Sequence, residues 1–512
     1  MTTVSEPAAT TVEVRRPHEV LWIAGGLGVL FQLLFWDVLP GLAVPVFVLT
    51  VLAAVVGVAR RQGTVASAQT VVVMAVAAAF ALAVAVRAEP VTTVVNVFVV
   101  LGALAVLVHA YPTDHWIRYG LRDWLLAALR LAGHEITGAP GLVGAARRAS
   151  AAQPTASGLR RALPLLRGVA LLLPVLAVFS VLLASADVIF AQRLTALGDL
   201  VRLPRLDQAV GRFLLAATVT YLIAGALWHQ LHRRQQRVLA DQAVPRMLGF
   251  SEAAIVLVGV DLLFAAFVVV QARYFFGGQA AVLVQGMTYA EYARRGFAEL
   301  VVVAVVSLCL HLALAGLTRR ETRAQRVAFT ALTTALTGLV LVILASSFAR
   351  LLLYEQAFGF TRARAVAHVF MVWLALLLVA LLWLELRDRV RWFLLASLVA
   401  AVGFAATLNV VGVDALIVRQ NLARAQAGAE LDVTYLAGLS PDAVPALTQA
   451  LPTLDAATAA DVRAALGCVG AETWDGDWRS LRLADVRARR AVAGVTSDAA
   501  VGEQEGCPYF RR

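Results

Sequence analysis

The sequence predicts an all-α protein: a polytopic transmembrane helix bundle of about 11 spans with a small helical C-terminal extramembrane domain. Three observations predict it. The chain of 512 residues is 60% hydrophobic and only 15% charged, with mean hydropathy +0.78, whereas soluble domains carry about 25% charged residues. Apolar runs of about 20 residues, the length that crosses a hydrocarbon core as a helix, recur along the chain. After residue 411 the composition turns abruptly polar and mildly acidic, with ten arginines against thirteen acids.

In order, the runs lie near 20–38, 41–59, 67–86, 90–111, 164–187, 211–231, 250–272, 296–317, 327–352, 364–386 and 390–411. Residues 1–19 form an N-terminal tail, and 20–111 form a first block of four spans. Between the fourth and fifth runs, 115–135 alternates Trp, Leu and Arg at helical spacing, as an amphipathic helix lying on the membrane does. The Gly/Ala/Ser/Pro-rich stretch 136–162 reads as a flexible loop, so 112–163 separates the first block from a core of seven spans over 164–411. The first run lacks a small-residue cleavage site and reads as a span rather than a cleaved signal.

All 44 basic residues are arginine. Placing the N-terminus in the cytoplasm puts 23 of them in or beside cytoplasmic segments and 11 in outer loops, so the positive-inside rule favours that orientation. An odd number of spans then sets the tail, 412–512, outside a bacterial cytoplasmic membrane. The basic excess falls in short loops, where it meets lipid head groups rather than nucleic acid. Within the tail, "VDALIVRQNLARAQ", "AATAADVRAAL" and "WRSLRLADVRARRAVAG" carry helical periodicity. In "LSPDAVPAL", Ser440, Pro441 and Asp442 have the chemistry of an N-cap, a first-turn proline and a dipole-complementing acid. Cys468 and Cys507 form a disulfide or remain two thiols, whereas Cys309 lies inside an apolar run as a small packing residue.

The densest charge sits in "TYAEYARRGFAEL", residues 288–300. As a helix, Glu291 meets Arg294 and Arg295 at i+3 and i+4, and Arg295 meets Glu299 at i+4, a ladder of internally paired charge. The segment is an interfacial elbow, with Arg294 and Arg295 able to hold an anion. Asp261 falls midway through the seventh run, where a carboxylate needs a partner; Asn96, Tyr221, His311 and His368 are candidates. Gln271 lies near the same run's end. "YEQAFGFTRARAVAHVF" repeats the theme with Thr361 ahead of Arg362 and Arg364, suggesting a degenerate repeat. Asp37, Asp187, Arg193 and Glu355 fall on the same outward side. "DGD" at 475–477 reads as a turn. No HExxH, Walker loop, GxSxG or CxxC stands in the chain, so neither a metal nor a cofactor is expected and an enzyme is disfavoured.

"VDLLFAAFVVVQARYFFGG" with "TYAEYARRGFAEL", "LLASADVIF", "RLLLYEQAFGFTRARAVAHVFMVWL", "VDALIVRQNLARA" and "LDVTYLAGLSPDAVPAL" together resemble an uncharacterised bacterial membrane family, the domain of unknown function 4153/4173 group. The likeness runs from about residue 180 onward. It implies a polytopic bacterial inner-membrane protein and transfers no catalytic residue. The expected function is transport or handling of an anionic or lipid-like ligand. Candidate ligand residues are Asp261, Gln271, Glu291, Arg294, Arg295, Glu299, Arg362 and Arg364. The alternatives are a membrane sensor or scaffold working through 412–512 with a protein partner, and a transferase using lipid-linked substrates. Membrane lipids are expected partners and nucleic acid is not.

Overall fold

In the computed structural model the described residues are 16–111, 116–117, 119, 121–151, 206–232, 247–276, 297–472 and 476–496. Among them ten helices are long and apolar enough to cross a membrane. They correspond to ten of the eleven runs; the run at 164–187 lies outside the described residues, as do Asp187 and Arg193.

The chain divides into two compact units. The first comprises 1–78, 103–114 and 126–237. It contains α1 (Pro17–Phe35), α2 (Ala43–Arg61), most of α3 (Ala68–Val86), the last turns of α4 (Pro90–Ala110), most of α5 (Leu121–Ala151) and α6 (Leu206–His232). Helices α1 and α6 pack closely because Gly28 has no side chain: a Cβ there would collide with the Thr220 hydroxyl and the Ala216 carbonyl. Helix α5 overturns the expectation of a loop beginning at residue 136, since the helix continues to Ala151. Ala, Leu and Arg are strong helix formers, and Gly138 and Gly141 leave room for Trp228 and the backbone of Gly225 on α6. Leu129, Ile136 and Val143, seven residues apart, form an exposed apolar stripe on the face away from α6, while Ala127, Leu142 and Ala146 are buried.

The second unit comprises 79–102, 115–125 and 238–512. Its membrane part is built from α7 (Phe250–Phe276), α8 (Phe297–Leu317), α9 (Arg323–Phe358), α10 (Arg362–Leu386) and α11 (Phe393–Val411). Helix α9 is the central strut. Thr322 and Gln325 close a capping box at its start, and its 36 residues rise about 54 Å. Phe329, Thr333, Thr337, Val340, Leu344, Ser347, Leu351 and Glu355 recur at three- and four-residue spacing, and all are buried. Around the apolar members of this seam Ala253, Leu257, Ala304, Met371, Leu374, Leu378 and Leu381 form the core. Cys309 is exposed on α8 rather than packed inside.

Gly403 on α11 faces the Trp373 ring of α10, whose Nε1 donates to Thr407 Oγ1 at 3.1 Å. A Cβ at 403 would fall inside that ring's envelope. Gly403→Ala is therefore expected to destabilise the unit by about 1–3 kcal/mol, read as a lower Tm in detergent. An unchanged Tm would mean that this close approach is not required.

The tail supplies five α-helices among the described residues: α12 (Val413–Gln426), α13 (Val433–Ala437), α14 (Val444–Ala450), α15 (Ala456–Glu472) and α16 (Leu483–Thr496). The three periodic segments read from sequence fall on α12, α15 and α16. Ile417, Val418, Leu436, Val444, Val462 and Ala488 form a core continuous with Ala365 of α10 and Leu408 of α11. The cap expected at Ser440 is absent: the Ser440 side chain makes no capping bond, and Pro441–Ala443 is a single turn of 3-10 helix.

Candidate functional site

Two arrays of buried charge lie in the second unit. The first joins the tail to neighbouring ends of α4, α9 and α10. The chain leaves α9 through Gly359, whose φ of +80° suits glycine, and an added Cβ would meet Asn421 Oδ1 at 2.6 Å. Asn421 of α12 reads this turn on both sides: its Oδ1 accepts from Phe360 N at 2.9 Å and its Nδ2 donates to Phe360 O at 3.0 Å. Arg424, one turn later, donates to the carbonyls of Gln356 and Ala357.

Arg362 opens α10. Its guanidinium grips Asp414 in a two-point pair at 2.8 and 2.7 Å and lies 3.7 Å from Glu89. Asp414 also accepts from Ser440 N at 2.8 Å. The Tyr435 hydroxyl accepts from Arg362 N at 3.1 Å, satisfying a backbone donor of the first turn of α10. Glu89 caps α4, accepting from Val91 N and Thr92 N at 2.9 and 2.6 Å ahead of a helix that begins with Pro90. Asp442 reaches the same helix start, accepting from Ala88 N at 2.6 Å and Glu89 N at 3.1 Å, with Arg87 at 3.3 Å. The acid read from sequence as serving its own helix therefore serves α4. Deeper in the membrane part, Asn96 of α4 and Asn409 of α11 exchange amide hydrogen bonds at 3.0 and 2.6 Å.

The second array lies among the spans. Glu355, near the C-terminal end of α9, is fully buried with His368 Nδ1 of α10 at 3.3 Å, and neither of its oxygens accepts a hydrogen bond among the described residues. At the other end His311 of α8 meets Glu385 of α10 at 2.5 Å. Arg320 approaches the same carboxylate at 3.5 Å, and Thr337 Oγ1 lies 3.4 Å from His311 Nδ1. Thr337 and Glu355 are 18 residues apart on α9, a rise of about 27 Å, so the two acid–histidine pairs stand near opposite faces of a hydrocarbon layer about 30 Å thick.

Of the residues singled out from sequence, Asp261 lies half-buried on α7, with both carboxylate oxygens lacking a hydrogen-bond partner among the described residues. None of its four candidate partners reaches it. Asn96 pairs with Asn409, His311 with Glu385, and His368 with Glu355; Tyr221 donates to Ile136 O in the first unit. Gln271 is buried and accepts from the Ser346 hydroxyl. Glu299 is exposed in the first turn of α8. Arg364 lies over the Tyr354 ring at 4.0 Å and donates to Gly359 O, so both arginines of this loop are engaged within the chain. Glu291, Arg294 and Arg295, with the ladder and the first half of the suggested repeat, lie outside the described residues. Among the described residues no cluster of three or more His, Cys, Asp or Glu side chains is arranged to hold a metal ion.

Sequence reasoning missed Glu89, Asp414 and Glu385. Each is an acid at a helix end, a place where a carboxylate ordinarily faces water and draws no notice.

The long apolar helices and the charge enclosed among them define a multi-pass membrane protein embedded in the bilayer. Residues 74–450 match the family described as a domain of unknown function, DUF4153, and the chain belongs to that family. The match begins well before residue 180, where the resemblance read from sequence started, and takes in α4 with Glu89 and Asn96. No curated protein and no solved structure matches the chain.

Proposed function

We propose that this chain transports or otherwise handles an anionic or lipid-like ligand in the bacterial cytoplasmic membrane, through protonation changes at carboxylates buried in α7–α10. The observation that carries the reading is the paired placement of Glu355–His368 and Glu385–His311 at the two ends of one helix seam, with Asp261 and Gln271 on the adjoining helix. Ionisable side chains are costly in hydrocarbon and mark ion or substrate routes in membrane bundles. Arg362 and Arg364 serve the fold in this reading. The arginines for a ligand are Arg294 and Arg295.

An experimental structure in lipid nanodiscs at acid and neutral pH tests it. Ordered water reaching Asp261 from Glu355 or Glu385 in either state is the expected result, and a dry, filled core in both states would sink the reading. A second reading, a sensor or scaffold acting through 412–512, is favoured by the Arg362–Asp414 pair and by the contacts of Asp442 with Arg87 and Ala88 N, which fix the tail to α10 and to the start of α4.

The same proposal places the N-terminus in the cytoplasm and the tail outside, on the arginine bias. Impermeant thiol reagents applied to intact cells after mild reduction should label Cys468 and Cys507. Full protection there, with labelling after lysis, would reverse the orientation.

A further inference from the structure

Three histidines from three helices meet in the first unit, outside both arrays above. His229 of α6 and His109 of α4 are buried, and His134 of α5 joins them. His109 Nδ1 lies 3.2 Å from His229 Nε2, and His229 Nδ1 lies 2.7 Å from His134 Nδ1. The result is a chain of imidazoles with His229 at its centre.

Proton counting limits what this chain can hold. Each imidazole–imidazole link contains one proton, because a donor must face an acceptor. Three neutral rings bring three protons: two fill the links and the third sits on an outer nitrogen. A fourth fits on the other outer nitrogen and gives the chain a single positive charge. A fifth has no place except in a link already holding a proton, and there two N–H groups would face each other. The chain therefore accepts one extra proton intact, and the second breaks it.

The links tie α5 to α6 and α4, alongside the hydrogen bond that the Tyr221 hydroxyl of α6 donates to the Ile136 carbonyl of α5. Across this contact Gly138 and Gly141 lie against Trp228, and Gly225 lies against the Glu135 carboxyl. Among the described residues, the charged and titratable groups around it include Arg130 and Glu135 on α5, Tyr221 on α6, Tyr111 just past α4, and Arg60 of α2 near Tyr111. We propose that His109, His229 and His134 form a proton-operated latch, which holds α5 on α6 near neutral pH and releases it when the chain takes up its second extra proton.

Two neighbouring shifts fix the signs. Burial, then the Arg130 charge, lowers the His134 pKa below its usual 6.5, so docking gains from His134 above that pH and loses it on acidification. Burial pushes Glu135 up to about 7, so this carboxyl acts the other way: its cost to docking grows as pH rises from the ordinary carboxylate range toward 7. Glu135→Gln removes that opposing contribution and leaves the histidines to act alone.

The test is amide hydrogen exchange of α5 in the full-length protein in nanodiscs, corrected for intrinsic exchange. In Glu135→Gln protein, protection over 127–146 should fall roughly tenfold or more between about pH 8 and about pH 5.5, the scale of one pKa unit or more. In the Glu135→Gln/His229→Gln double variant it should change little. Equal protection at both pH values in Glu135→Gln protein, or an equal fall in the double variant, would overturn the proposal. Protection of α9 serves as the folding control. If the double variant loses it, Glu135→Gln/His134→Gln, which removes one link, takes its place with the same expected result.

Discussion

Arg362→Ala is expected to lower the stability of the second unit by about 3–5 kcal/mol, the usual cost of removing one member of a buried ion pair. The estimate rests on what is left behind. Asp414 is completely buried, and without the guanidinium its charge keeps only the Ser440 N–H. Glu89, 2% exposed, loses a cation 3.7 Å away. The freed carboxylates repel each other at the point where the tail core meets α10 and α11. The loss should show as a lower Tm and as faster proteolysis within 412–496. Asp414→Ala should cost a similar amount. The double variant Arg362→Ala/Asp414→Ala should cost less than the sum of the two, because each single change strands the partner's charge. Strict additivity would mean that the two side chains do not act as a pair.

The second large effect separates Glu385 from Glu355. Glu385 holds two cationic or hydrogen-bonding partners, His311 at 2.5 Å and Arg320 at 3.5 Å, inside the packed core. Glu385→Ala removes the acceptor from both and opens a cavity, so a loss of about 3–5 kcal/mol is expected. Glu355 has His368 beside it but no hydrogen-bond donor on either oxygen among the described residues. Glu355→Gln keeps the shape and removes a charge that the fold barely satisfies. Its stability should stay within about 1 kcal/mol of the parent's or rise, since a buried acid with imperfect partners contributes little to stability. Parallel thermal melts of the two variants check the contrast. A Glu355→Gln protein as unstable as Glu385→Ala would make Glu355 a structural residue.

The spans were legible because a helix in hydrocarbon must be apolar over about 20 residues, a rule that acts locally along the chain. The helices of the tail were legible for the same local reason. Arg362 stood out because charge at a span boundary is rare, but its partner did not. Asp414 lies 52 positions away in what reads as an ordinary first helical turn, and Asp442 acts on a backbone amide 354 positions away. Pairings at such separations are set by how helices pack, which no local periodicity records. Helix α5 was misread past residue 136 because Gly138 and Gly141, taken as loop signals, are close-packing positions against α6. Asp261 was found by composition alone, and the four polar residues that offered it a partner each pair elsewhere.

In the proposed function the acid–histidine pairs of α8, α9 and α10 exchange protons within the membrane. Proteoliposomes adsorbed on a solid-supported electrode and stepped from about pH 8 to about pH 6 report this directly without a known ligand. Proton uptake by groups inside the electric field of the bilayer should give a transient current in the parent protein. Glu355→Gln, which keeps the fold, should reduce it markedly. A parent protein indistinguishable from empty liposomes, or a Glu355→Gln current equal to the parent's, would contradict the account.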